Sequence, residues 1–148
     1  MDETKLIQLN NKNLLFVGIG NVLKHDDGVG VYISNHIQET GKKRSLTVEV
    51  SIENYISKIN QVNSGHLILI DCVDFNKKPG FWDILPVERI NGFITNTHNI
   101  SLNKISELFN SKTYILGIQP ENIRFGENLT PEIKKTADLL IKKINELN

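Results

Sequence analysis

Leu14-Leu-Phe-Val-Gly-Ile19 runs straight into Gly20-Asn-Val-Leu-Lys-His-Asp-Asp-Gly-Val-Gly30. The first six residues form a short, continuous apolar run, the pattern of a strand buried on both faces. Next comes a glycine-rich loop with two adjacent acids, and after it a helical pattern begins. Such a loop belongs at the carboxyl edge of an α/β sheet, where ligand crevices lie. Paired carboxylates there suit a cation or a carbonyl that needs polarising.

Working outward, aliphatic runs at 46–52, 66–72 and 113–118 read as further strands, the first of them the most alternating. Apolar residues at helical spacing fill 29–39, 54–62, 102–110 and 131–147. The last helix has a legible start, with Thr130 to cap it and Pro131 at the first helical position. Residues 81–85, soon after Lys78-Pro-Gly80, predict one more strand, pairing antiparallel at an edge. Strands and helices in alternation predict a three-layer α/β/α sandwich.

The 148 residues, 39% hydrophobic and 23% charged, are read as one domain spanning 1–148, with 1–13 a loosely ordered extension. Seventeen basic residues balance 17 acidic ones, and the pI near 6.9 gives no basic footprint for nucleic acid or anionic lipid. No stretch has the apolar length of a membrane span or a signal peptide. The single cysteine, Cys72, excludes an intramolecular disulfide and a paired-cysteine zinc site, and the expected compartment is the cytoplasm.

The acids at 26 and 27 have an ordinary reading in which one caps the adjoining helix. A cap needs only one carboxylate, and two adjacent ones repel, so the second is a candidate ligand or catalyst. Asp71 ends the run Leu67-Ile-Leu-Ile70; it either binds backbone donors in the turn or faces the same crevice. Asp74 reads as a turn residue. His98 lies in the polar stretch Thr95-Asn-Thr-His-Asn99, where a lone histidine is usually solvated, and His25, His36 and His66 have weaker cases.

Together Asp27, Asp71 and His98 close separate sheet elements that a doubly wound fold brings to one edge. Two carboxylates and an imidazole suit a divalent ion such as nickel or zinc. A dinucleotide reading of the loop fails, because Leu23 stands where the third glycine of G-x-G-x-x-G belongs and carboxylates repel a pyrophosphate. No G-x-S-x-G nucleophile motif occurs.

From about residue 14 to the end, Gly18-x-Gly-Asn-x-Leu-x-x-Asp-Asp-Gly-x-Gly30, the strand ending at Asp71, Lys78-Pro-Gly80, Thr97-His98 and Gly117-Ile-Gln-Pro-Glu121 resemble the hydrogenase maturation endopeptidases. The resemblance implies a twisted, mostly parallel five-stranded sheet between helices. It implies a protease that removes a C-terminal extension from the precursor of a nickel-iron hydrogenase large subunit after nickel insertion. Asp27, Asp71 and His98 fall on the family's metal-contacting positions. The nickel is then supplied by the precursor, with zinc or cadmium as substitutes in vitro, and a monomer is compatible with this task.

The chain departs from the family pattern at Ser51-Ile-Glu-Asn-Tyr55, where relatives carry a glycine-glycine-threonine stretch, and at Cys72, which adds a soft donor beside Asp71. Two other readings stay open at this point: a non-catalytic module that docks the nickel-bearing precursor, and a small-molecule-binding α/β domain.

Overall fold

The computed structural model describes residues 3–95 and 101–148. In chain order they form α1 (Thr4–Ile7), β1 (Leu14–Ile19), α2 (Val29–Asn35), β2 (Lys43–Glu49), α3 (Ile56–Val62), β3 (His66–Asp74), β4 (Trp82–Pro86), β5 (Ile94–Thr95), α4 (Leu102–Ser106), β6 (Lys112–Ile118) and α5 (Pro131–Asn145). The sheet runs β2-β1-β3-β6-β4, with the short β5 attached to the end of β3. β1, β2, β3 and β6 are parallel and β4 pairs antiparallel with β6, so the edge strand at 81–85 is found where its sequence placed it.

Alternation along the central strands sorts their side chains into two cores. Phe16, Ile68, Ile70 and Leu116 pack under α2 and α5, while Val17, Leu67, Leu69 and Ile115 pack under α3 and α4. The result is the expected three-layer sandwich around a five-stranded, mostly parallel sheet. Because β2 and β3 lie on opposite sides of β1, the chain reverses its direction of winding between β1 and β3. That reversal opens a crevice at their carboxyl ends.

Several boundaries differ from the sequence reading. β2 starts three residues early and stops at Glu49, whose φ of +54° turns the chain out of the sheet. Ile52 is buried, but in a 3-10 turn leading into α3. Residues of the amino-terminal extension form α1, and Leu6 and Leu9 are buried against α5, an apolar spacing too short to register as a helix by periodicity. Among the described residues no helix is long and apolar enough to cross a membrane.

α5 is fastened at its carboxyl end by a buried lysine. The Nζ of Lys43 donates to the carbonyls of Ile144 and Leu147 at 2.9 and 3.1 Å, satisfying groups that a helix terminus leaves open. Burial holds this ammonium below the usual lysine pKa.

α2 approaches the switch point closely. A Cβ on Gly30 falls 2.1 Å from the carbonyl oxygen of Ile70 and 2.4 Å from that of Ile19, so the helix rests directly on the backbones of β1 and β3. Glycine to alanine ordinarily favours a helix by up to about 1 kcal/mol. Here Gly30→Ala reverses the sign and destabilises the protein by at least about 1–3 kcal/mol, measured by urea unfolding.

Candidate active site

The loop after β1 is shaped to present Asp27. Gly20 has φ +149°, and a Cβ on it falls 2.0 Å from the carbonyl oxygen of Asp27, so only glycine lets the chain fold back this closely. Asn21 Oδ1 accepts from the N–H of Leu23 at 2.9 Å, an Asx turn. Asn21 N–H in turn donates to Asp27 Oδ2 at 3.1 Å. Asp27 is buried in the 3-10 turn His25–Gly28.

Neither acid of the pair caps α2, whose N-cap is Gly28 with no side-chain cap bond. The carboxylate of Asp26 instead reaches across to the segment between β6 and α5. It accepts from the N–H groups of Glu121, Asn122 and Thr130 at 3.0, 2.9 and 2.8 Å. It also accepts the Thr130 hydroxyl, at 2.8 Å to Oδ2. Thr130 stands at the start of α5 as its sequence implied, but its hydroxyl serves Asp26 and caps nothing. His25 adds a second tie: its N–H donates to Gly126 carbonyl at 2.8 Å, and its Nδ1 lies 2.9 Å from the carbonyl oxygen of Asn128. The imidazole packs where a side chain on Gly126 would sit.

Asp71 is buried near the carboxyl end of β3, one position past the Gly18 and Ile70 pair that joins β1 to β3. Its Oδ1 accepts from the N–H of Cys72 at 2.8 Å. Alternation sends the Cys72 side chain to the opposite face, into the core under α2 and α5, so the thiol is not a co-ligand beside Asp71. Burial pushes that thiol far above the usual cysteine pKa, and the charges of Asp71, Asp27, Asp26 and Asp74 push it further in that order. A concentration of carboxylates at this end of the sheet is what the thiol registers.

His98 lies outside the described residues. The chain enters its segment from Thr95, whose backbone pairs with Val73 just past Asp71. Among the described residues no three His, Cys, Asp or Glu side chains are gathered closely enough to hold a metal ion.

Asp74 is a turn residue as expected, with Oδ1 accepting from the N–H of Asn76 at 2.9 Å. Its other partner is Gln119, which in the sequence stands out only as part of a motif. Gln119 Nε2 donates to Asp74 Oδ1 at 3.1 Å, while its Oε1 accepts from Phe75 N–H at 2.6 Å. A glutamine at the end of an apolar strand is the signal for this role, since once buried it must satisfy both ends of its amide.

Residues 31–147 of the 148 match the family model described as hydrogenase maturation protease. The chain belongs to the hydrogenase maturation protease family. It is 28% identical, over 99% of its length and 95% of the relative's, to the Methanocaldococcus jannaschii protein MJ0631, classed provisionally as a hydrogenase maturation protease. A Methanothermobacter thermautotrophicus relative named coenzyme F420 hydrogenase subunit delta is 27% identical, with 88% of this chain and 91% of that one covered. In fold the protease is similar to the crystal structure of the nickel-iron hydrogenase maturation protease HycI from Thermococcus kodakarensis, at a TM-score of 0.84, 23% identity and 97% coverage of both chains.

Because Asp26 holds three backbone N–H groups and a hydroxyl, its neutral isostere turns one acceptor into a donor facing donors. Asp26→Asn costs about 2–3 kcal/mol of stability, and hydrogen exchange over 120–130 rises well beyond that of the sheet.

Proposed function

We propose that this protease removes the C-terminal extension of a nickel-iron hydrogenase large-subunit precursor after nickel insertion, recognising the nickel through Asp27, Asp71 and His98. The observation that carries the reading is the pair of buried carboxylates, Asp27 and Asp71, on either side of the switch point. Asp26 and Asp27 follow β1, and Asp71 and Asp74 lie at the carboxyl end of β3, so a cation at this edge relieves repulsion among carboxylates. Oxygen donors with an imidazole suit a borderline divalent ion, and open coordination positions leave room for ligands from the precursor.

On this reading the ion arrives with its substrate. The acids grip it from the protease side and so fix the adjoining chain end, with its scissile carbonyl beside the metal. Water adds to that carbonyl, the C–N bond breaks and the proton passes to the departing amine. The reaction belongs to the cytoplasm, where the free buried thiol of Cys72 is at home.

A partly apolar cleft of about 510 Å³ adjoins the loop, lined by Val22, Leu23, His25, Tyr32 and Leu129 among others. Leu23 is 56% and Phe125 81% exposed, large apolar surfaces that a partner can cover. Phe125 lies on the segment that Asp26 ties down, so it is presented without loose ends. The segment 51–55, unusual for the family, carries Glu53 and Asn54 exposed beyond β2, where they can select among precursors.

Incubating the protein with nickel-loaded and nickel-free precursor of its own hydrogenase, and following precursor mass, tests the reading. Only the nickel-loaded form loses a C-terminal peptide, and Asp27→Asn or Asp71→Asn slows the loss by about a hundredfold or more. Binding with no change in mass, or equal cleavage of both forms, overturns it. In the same assay Leu23→Asp with Phe125→Asp raises KM severalfold and leaves kcat nearly unchanged, the signature of lost docking.

A further inference from the structure

A second cleft, of about 550 Å³, opens at the opposite end of the sheet, between α1 and the amino ends of β3 and β6. His66 opens β3 and lies five residues from Asp71, so this cleft is roughly 17 Å from the candidate active site at about 3.3 Å per residue. Lys5, Lys12, His66, Arg89, Lys112 and Tyr114 are among the residues that line it. In a chain of zero net charge this is a marked local excess of cations.

Lys5 is committed to Asp83, with Nζ 2.7 Å from Oδ1. Lys12, Arg89 and Lys112 have no salt-bridge partner among the described residues. The Tyr114 side chain first, and Glu88 last, raise the pKa of Lys112. His66 is half-buried, and its Nδ1 is enclosed with no hydrogen-bond partner among the described residues. Burial, and after it the charges of Lys12 and Lys112, hold the imidazole below the usual histidine pKa. Tyr114 supplies a wall: it stacks on His66 with centroids 6.2 Å apart, and the Lys112 ammonium lies 5.4 Å from its ring centroid.

We propose that this cleft binds a small phosphate-bearing anion, gripped by Lys12, Arg89 and Lys112 against the Tyr114 ring. The volume lies in the range of small-molecule sites, about 300–1,000 Å³. Three unpaired cations exceed what a single carboxylate neutralises, and an arginine fork matches phosphate oxygens two at a time. The site is separate from the proteolytic reading and does not depend on it.

Titration calorimetry with inorganic pyrophosphate and, separately, with ATP at 0.15 M salt tests the proposal, alongside the His66 imidazole proton shifts by NMR. Wild-type protein is expected to bind at least one probe with Kd below about 1 mM and to shift the His66 resonances. Lys12→Gln with Lys112→Gln weakens binding about tenfold or more. Lys24→Gln with Lys134→Gln, the same charge change in the loop after β1 and the first turn of α5, weakens it less than about twofold. All four lysines are exposed or half-exposed, so both variants keep the fold, which thermal melting verifies. Tighter binding of ATP identifies a nucleotide stacked on Tyr114, and equal affinity identifies the phosphate alone. Absence of binding by both probes at about 10 mM, equal weakening in the two double variants, or binding with no His66 shift overturns the proposal.

Discussion

A fully buried carboxylate that accepts three backbone N–H groups and a hydroxyl cannot move without stranding its donors. Asp26 is that group, and its neighbour Asp27 is carried by the same 3-10 turn. The tie therefore does two things at once: it closes the segment 120–130 onto the loop after β1, and it holds the turn that carries Asp27. α5 begins at Thr130, where Asp26 binds, and ends where Lys43 takes its last carbonyls. Both fastenings are long-range and polar, and both are buried, where such bonds are least exposed to competition from water.

The other constraint is steric. α2 lies on bare backbone at Gly30, which brings the start of the helix down to the level of β1 and β3 where the winding reverses. A chain that could not approach this closely would lift the loop, and Asp27 with it, away from Asp71. Glycine chemistry and sheet topology thus converge on one crevice in a chain that belongs to the hydrogenase maturation protease family. The far end of the same strands carries the opposite charge, with Lys12 and Lys112 around His66. A nearly neutral chain is in this way polarised along its sheet.

Much of the fold is legible because buried parallel strands leave short aliphatic runs, as at Leu14–Ile19 and Lys112–Ile118, and because Pro131 announces α5. The pattern puts β2 three residues late because Val50 and Ile52 continue an apolar alternation after the backbone has already turned at Glu49. Local pattern cannot see a single left-handed residue. α1 is invisible for the opposite reason: four residues carry too little periodicity, and only contact with α5 makes Leu6 and Leu9 core residues.

At the site, the amino-acid sequence alone determined that two acids sit in a glycine loop after a buried strand and that a third acid ends another, since residue type and position along a strand are local properties. Which acid does what was decided only by tertiary structure. Asp26 and Asp27 are chemically identical neighbours, and they part ways because one meets the N–H groups of a segment about 100 residues distant while the other accepts from Asn21 within its own loop. The same holds for Thr130, diverted from its helix to Asp26, and for Cys72, sent by the alternation of β3 to the face away from Asp71. Partners far apart in sequence cannot be read from either partner alone.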